Sequence, residues 1–149
     1  MKNRNVAMVD ISKKAVTLRE ALVQAHISLK PKTVNLIKAK KIPKGDCLTT
    51  AKCAGILAAK RVDELIPLCH PLPLEYVEIN FKLEKKGIFI TARCKTSAKT
   101  GVEMEAMVAA SIAALTIYDM CKSIDRGAVI NEIKLMEKTG GKSGRYKRL

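Results

Sequence analysis

Three stretches of the chain alternate apolar and polar residues, a pattern typical of strands buried on one face. They span residues 17–29, 77–83 and 88–94. The Lys-Lys-Gly segment at residues 85–87 predicts a hairpin turn between the second and third. A last strand is predicted over residues 128–136.

Helices are predicted between these strands. Pro31 breaks the first strand, and a short helix is expected over residues 32–40. Asp46 lies where it can cap a second helix, which we expect to run to about Leu65 and to end before Pro67.

The third helix has the most distinctive composition. Thr100 followed by Glu103 has the spacing of a capping box and predicts a helix that runs to about Ser123. Residues 106–118 are uncharged and apolar nearly all round, which predicts burial in the core or between subunits. The element order is strand, two helices, strand, strand, helix, strand. It indicates a ferredoxin-like α+β fold, a split βαβ with helices packed on one face of an antiparallel sheet.

Composition fits a single domain over residues 1–149, with a basic glycine-rich tail from about residue 139. The five cysteines are an odd number and form no Cys-x-x-Cys pair, which argues against a disulfide framework and a zinc ribbon. The start of the chain has no stretch typical of a signal peptide, and residues 106–118 are too short to span a bilayer. We therefore expect a reduced, cytoplasmic protein.

The net charge of +14 indicates attraction to anions, whether nucleic acid, an acidic membrane surface or a phosphorylated small molecule. A solvated, lysine-rich surface explains the same charge. Aromatic residues make up only 3% of the chain, which gives little support to binding of single-stranded nucleic acid.

One candidate site is the segment Leu-Ile-Pro-Leu-Cys-His-Pro-Leu at residues 65–72. Prolines on both sides hold Cys69 and His70 in a rigid, extended conformation. An imidazole fixed there could donate to a phosphate or a purine-like ring, although a lone histidine is more often simply packed. Neither a second Cys nor a second His stands at ligand spacing, so no metal site is expected.

The long helix carries the other acidic candidates. Glu105 precedes the apolar run and is either paired with a lysine or used in catalysis. Asp119 and Lys122 share a helix face after that run, so we expect them to be partly buried, as an ion pair or as a proton-transfer couple. A rise of about 1.5 Å per residue separates Glu105 from Asp119 by roughly 21 Å. If both act at one site, the helix bends or, more simply, a second subunit contributes.

Lysines beside glycines complete the set. Lys44 lies in a Pro-Lys-Gly-Asp loop, and Lys138 and Lys142 flank Gly140-Gly141. The tail resembles the end of a P-loop, but Met136 stands where that motif needs glycine. The tail therefore either binds phosphate or is merely solvated.

Taken together, the motifs resemble one family. MVDIS, KGDCL, AGILAAKR, LIPLCHPL, KTGVEMEA, AALTIYDMCK, DRGAVI and EKTGGKSG follow one another in the order found in the molybdenum cofactor biosynthesis protein C family, the cyclic pyranopterin monophosphate synthases. The resemblance covers residues 8–144.

This resemblance implies a lyase that converts a 3′,8-cyclised dihydro-GTP, made by a radical SAM GTP cyclase, into cyclic pyranopterin monophosphate and pyrophosphate. It implies homohexamers, trimers of dimers with sites between subunits, no required cofactor, and Mg²⁺ only as a companion of the triphosphate. It also implies roles for ten residues: catalysis for Asp119, Lys122 and Lys44, and substrate binding for Leu68, Cys69, His70, Met104, Glu105, Lys138 and Asp10.

Two other functions remain open. A small basic RNA-binding module would use the charge and the topology, but the strands are expected to lack exposed aromatic residues for base stacking. A structural oligomerisation protein would use the alanine-rich helix but leaves His70, Glu105 and Asp119 unexplained. We therefore expect a small-molecule substrate rather than nucleic acid or membrane.

Overall fold

The computed structural model describes residues 5–149. Residues 1–4 lie outside the described residues. They belong to the start of the chain, for which we expect no signal peptide. The described elements, in chain order, are β1 (Thr17–Ser28), α1 (Pro31–Lys38), α2 (Cys47–Ala59), α3 (Val62–Leu65), β2 (Tyr76–Glu84), β3 (Gly87–Ala98), α4 (Glu103–Cys121), β4 (Val129–Thr139) and β5 (Tyr146–Lys147).

The strands form one antiparallel sheet in the order β2-β3-β1-β4-β5. The first four strands of that order are those of a ferredoxin-like split βαβ fold, and the predicted fold class is confirmed. β1 is central, so Ala25 lies opposite Ile90 of β3 on one side and Ile133 of β4 on the other. The predicted hairpin joins β2 to β3 through Lys85 and Lys86.

The core lies between one face of this sheet and the helices. Val23, Ala25 and Ile27 of β1 are fully buried, as are Ile88 and Ile90 of β3. These are the apolar positions of the alternating pattern, which confirms the predicted inward face of each strand.

Close packing of α2 on α4 depends on small residues. Ala51, Gly55 and Ala59 recur every fourth residue and are buried on one face of α2. A β-carbon on Gly55 would overlap Ile79 and lie 2.7 Å from the carbonyl oxygen of Ala109 in α4. The two helices therefore approach closely only because Gly55 has no side chain.

The end predicted for α2 was wrong. Asp46 does cap the helix, since its side chain accepts a hydrogen bond from the backbone N–H of Thr49 at 3.1 Å. The helix ends at Ala59 instead of near Leu65, because the chain turns at Lys60 and Arg61. This turn starts the separate α3 and places Val62 in the core with 2% exposure.

The start of α4 also differs from the prediction. Its N-cap is Val102, which makes no side-chain cap, so the Thr100–Glu103 capping box is wrong. The Glu103 carboxylate instead accepts a hydrogen bond from Lys138 Nζ at 2.8 Å. The helix ends at Cys121, two residues before the predicted Ser123.

Burial of α4 is as predicted. By length and composition alone α4 could cross a membrane, but half of it is buried inside the protein. It packs between α2 and the sheet, which identifies it as a core helix.

The C-terminal tail is not simply solvated. β4 extends to Thr139, and β5 pairs with it through Glu137↔Lys147 and Lys138↔Tyr146. The backbone N–H of Arg148 also donates to the carbonyl of Met136 at 2.8 Å. The tail therefore doubles back along the edge of the sheet.

The other face of the sheet is not covered by helices, and aromatic residues do occur there. Tyr76 is 43% exposed under Lys95, whose Nζ lies 5.5 Å from the ring centroid. Phe89 packs on His26 with the ring centroids 4.4 Å apart. The expectation that the strands lack exposed aromatic residues was therefore wrong at Tyr76.

Candidate active site

An apolar pocket of about 260 Å³ lies at the N-terminal end of α4. The proline-rich segment between α3 and β2 forms one wall, and the first turn of α4 forms the other. This pocket brings together five of the predicted substrate-binding residues: Leu68, Cys69, His70, Met104 and Glu105.

Prolines and one side-chain hydrogen bond fix this proline-rich wall. Pro67, Pro71 and Pro73 restrict the backbone on either side of His70. The Thr96 hydroxyl, buried in β3, donates to the carbonyl of Pro73 at 2.7 Å. The predicted extended conformation is wrong for the first part of this wall, because Pro67 and Leu68 form a turn in which the backbone N–H of Cys69 donates to the carbonyl of Ile66 at 3.1 Å.

Glu105 is a buried carboxyl without a cation. It is 4% exposed. None of the ion pairs formed within residues 5–149 involves it. Burial, with a smaller contribution from the charge of Glu103, raises the pKa of Glu105 to about 7. Of the two alternatives for this residue, pairing with a lysine therefore does not occur in the described chain.

A polar pocket of about 210 Å³ continues from the apolar one. The two pockets share Thr100, Gly101 and Glu103. Lys14, Arg19 and the predicted Lys138 line the polar pocket with their cationic side chains. We call the two together the α4 groove.

The groove opens into a wider basic cavity of about 740 Å³, which Lys13 and Lys142 also line. The Gly140-Gly141 turn carries the chain past β1 at this point. Both glycines have positive φ, of 96° and 77°, and a β-carbon on Gly140 would overlap the carbonyl oxygen of Leu18. Only glycine lets the tail lie this close to the strand.

The lysine cluster, which we define as Lys44, Asp119 and Lys122, lies at the other end of α4. Lys44 Nζ donates to Asp119 Oδ2 at 2.6 Å, and Lys122 Nζ lies 2.8 Å from Asp119 Oδ1. Hydrogen bonds from Lys122 and Lys44 lower the pKa of Asp119 to about 2, and the same contact raises the pKa of Lys122.

Partial burial of this cluster was predicted and is wrong for the described chain. The Asp119 side chain is 51% exposed and that of Lys122 is 52% exposed. Asp119 lies in the last turn of α4 and Lys122 is its C-cap, whereas Met120 and Cys121 between them are buried. The cluster therefore faces outward.

The lysine cluster and the α4 groove do not meet within one chain. Residues 103–121 form one uninterrupted helix, so Glu105 and Asp119 are roughly 21 Å apart along its axis.

The model of the MoaC family matches residues 8–141 of this chain. The chain belongs to the MoaC family. This family functions in molybdenum cofactor biosynthesis and consists of soluble biosynthetic enzymes that act on a small molecule. Every predicted site residue of this MoaC family member, from Asp10 to Lys138, lies inside the matched region.

Asp10 lies at the margin of the site. Its exposed carboxylate accepts the backbone N–H of Ser12 at 2.9 Å, which lowers the pKa of Asp10. Its neighbour Val9 lines the apolar pocket.

Lys14 and Arg19 were missed by the sequence reasoning. Lys14 lies in the bend before β1, where a lysine usually meets only solvent. Arg19 lies in β1 two residues before Ala21, so it is on the inward face of the strand, where a cation is not expected. For Lys14 the available sign was the Lys13-Lys14 pair, which is no different from other lysine pairs in so basic a chain. For Arg19 the available sign was its place on the apolar face of the alternating pattern.

Asp125 was missed as well, although it has a structural role. It is 2% exposed, and its Oδ2 accepts the backbone N–H of Lys30 at 2.8 Å and the Thr33 hydroxyl at 2.9 Å. Asp125, in the loop after α4, thereby accepts hydrogen bonds from two donors at the start of α1 that have no partner within that helix.

Proposed function

We propose that this MoaC family member is a cyclic pyranopterin monophosphate synthase. It would convert (8S)-3′,8-cyclo-7,8-dihydroguanosine 5′-triphosphate into cyclic pyranopterin monophosphate with release of pyrophosphate, as a phosphorus–oxygen lyase. The observation that carries this proposal is the α4 groove, which joins an apolar pocket to a polar pocket lined by three cations and by the carboxylates of Glu20 and Glu103.

The groove suits a ligand with a ring at one end and phosphates at the other. Leu68 and Met104 offer apolar contact, and His70 offers a hydrogen-bonding ring nitrogen, beside the place that a purine-derived ring would occupy. Arg19 and Lys138 stand where a triphosphate would continue. Glu103 holds Lys138 at the junction, so an incoming phosphate would compete with that carboxylate for the ammonium group.

We also propose that the lysine cluster of a second subunit completes the site. The cluster faces outward, carries two cations for one carboxylate, and cannot reach its own groove. A homohexamer, a trimer of dimers with sites at subunit interfaces, would place the two halves together.

The chemistry divides between the two halves. Bond breakage between the α and β phosphorus groups must release pyrophosphate as the cyclic phosphate closes, and Lys44, Lys122 and Lys138 would neutralise the departing charge. Asp119, with its pKa held at about 2, is an anion that orients Lys44 and Lys122 and raises the pKa of Lys122. Proton transfer during ring opening and reclosure suits Lys122 as an acid and Glu105, with a pKa of about 7, as an acid or base near neutral pH.

No resident cofactor is part of this proposal. Among residues 5–149 no three His, Cys, Asp or Glu side chains group into a metal site. A Mg²⁺ ion would instead arrive on the triphosphate, held by its phosphate oxygens. The enzyme would work in the cytoplasm, after the radical SAM GTP cyclase that supplies its substrate.

The direct experiment is turnover of 3′,8-cyclo-dihydro-GTP, followed by pyrophosphate release and by detection of the pterin product. Absence of both from a folded, assembled protein would refute the proposed reaction. Mixing Glu105→Ala chains with Asp119→Ala chains tests the shared site. Mixed oligomers should regain activity that neither variant has alone, and inactive mixtures would argue against a site between subunits.

A further inference from the structure

Two buried cysteines touch beneath the lysine cluster. Cys47 is the first residue of α2 and Cys121 is the last residue of α4. Their sulfur atoms lie 4.0 Å apart, and the residues are 3% and 0% exposed. The contact thus joins two elements that are far apart in the sequence.

These elements also carry the lysine cluster. Lys44 lies in the loop that leads into α2, three residues before Cys47. Asp119 and Lys122 stand on either side of Cys121. A change in the separation of the Cys47 and Cys121 backbones would therefore move the ends of the Lys44–Asp119 hydrogen bond.

We propose that Cys47 and Cys121 are a redox-active pair, which hydrogen peroxide closes to a disulfide that disturbs the lysine cluster and inhibits the enzyme. A disulfide bond is about 2.05 Å long, so closure brings the sulfur atoms roughly 2 Å nearer than the 4.0 Å of the dithiol. The formation of the disulfide stands on this geometry alone, whereas the inhibition rests on the proposed function.

The contact between the two thiols affects which of them ionises more easily. A hydrogen bond from the Cys47 thiol lowers the pKa of Cys121, and the shared contact together with burial raises the pKa of Cys47. Cys121 is therefore the sulfur that ionises first, and the thiolate is the reactive form of cysteine.

The reaction balances with peroxide as the only oxidant. The Cys121 thiolate attacks one peroxide oxygen, the O–O bond breaks, and the leaving hydroxide takes up a proton to become water. Cys47 then attacks the sulfur of the resulting sulfenic acid, the S–O bond breaks, and a second water leaves. Two thiols are oxidised by two electrons, and one peroxide is reduced to two waters.

The small size of peroxide matters because the pair is buried. Cys53, also on α2, is exposed and has no part in the proposal. It therefore reports whether a given peroxide treatment has reached the protein, and Cys53→Ser is the matched control variant.

The experiment treats the assembled protein with peroxide, alkylates free thiols, and maps the peptides by mass spectrometry, with turnover measured in parallel. We expect a Cys47–Cys121 linked peptide and at least about a tenfold loss of turnover, since displacement by 1 Å can lower a rate by about 100-fold. Dithiothreitol should restore the rate. Cys53→Ser should behave like the wild type, whereas Cys47→Ala and Cys47→Ser should form no link and keep their rate.

Three results would overturn the inference. The first would be absence of the linked peptide although Cys53 is oxidised. The second would be formation of the link without loss of turnover. The third would be the same reversible loss of turnover in a folded Cys47→Ala protein. The last result would point to another thiol, such as Cys69 in the α4 groove. A reduced wild type without turnover would refute the proposed function alone, because peptide mapping still reports on the pair.

Discussion

Replacement of Glu105 by glutamine should stabilise the protein at alkaline pH, although it changes a residue of the proposed active site. The carboxyl is 4% exposed, and burial raises its pKa from an ordinary value of 4.5 to about 7. Glutamine keeps the shape and cannot ionise. The buried charge, and with it the penalty of removing that charge from water, is therefore absent from the variant.

The size of the effect follows from the displaced pKa. Between pH 4.5 and about 7 the folded protein holds a proton on Glu105 that the unfolded chain releases. Wild-type stability therefore falls as pH rises through this window, and the loss is complete above about pH 7. A shift from 4.5 to about 7 corresponds to about 3 kcal/mol in the free energy of unfolding.

Urea unfolding of both proteins, at one protein concentration and at several pH values, measures this effect. The difference in unfolding free energy should grow from near zero at about pH 4.5 to about 3 kcal/mol in favour of Glu105→Gln at about pH 8.5. Parallel stability curves would refute the reasoning, because they would mean that the native carboxylate is already compensated by a cation. Glu103→Gln is the matched control, and its effect should have the opposite sign, since it removes the partner of Lys138.

Three further changes test the fold and the site. Gly55→Ala should lower the free energy of unfolding by about 1–3 kcal/mol in thermal or urea unfolding, since its β-carbon meets the Ala109 carbonyl; an unchanged stability would mean that α2 and α4 separate easily. Asp125→Ala should cost about 2–4 kcal/mol in the same assay because it leaves the Thr33 hydroxyl and a backbone N–H unpaired, whereas Asp125→Asn, which keeps an acceptor, should cost less. Asp119→Asn should lower turnover at least about 100-fold while sedimentation shows unchanged assembly, and near-normal turnover would remove Asp119 from the mechanism.

Most of the sheet could be predicted because its strands alternate strictly. A strand such as β1 has one face in the core, so every second residue must be apolar, and the period is visible in the letters. The Lys85-Lys86 turn then fixes which two strands are neighbours. Helix ends were less predictable. The end of α2 at Ala59 is coupled to the burial of Val62 in the core, and such a tertiary contact is not visible in the local sequence.

The candidate site was predictable where one short segment makes it. The wall around His70 is built from adjacent residues, and its prolines restrict it locally. Contacts between distant segments were not predictable in this way. Nothing local to Glu103 indicates that its partner is Lys138 in β4 and not the backbone of its own helix. Arg19 does continue the inward alternation of Ala21 and Val23, but nothing local indicates that a polar pocket lies at that end of the strand.

The pH dependence of stability that Glu105 causes tests assembly as well as burial, because α4 is too long for Glu105 to meet the lysine cluster of its own chain. Within one chain the lysine cluster begins roughly 21 Å from Glu105 along the helix axis, which is too far to affect the carboxyl of Glu105. If a partner subunit places its Lys122 beside the groove, that positive charge lowers the pKa of Glu105 in the oligomer and flattens the predicted slope. The slope should then reappear in Lys122→Met, which removes the cation and leaves Glu105 in place. A flat curve in both proteins would instead require compensation from a group other than Lys122, and the double variant Lys44→Met, Lys122→Met would then separate the rest of the cluster from a group outside it.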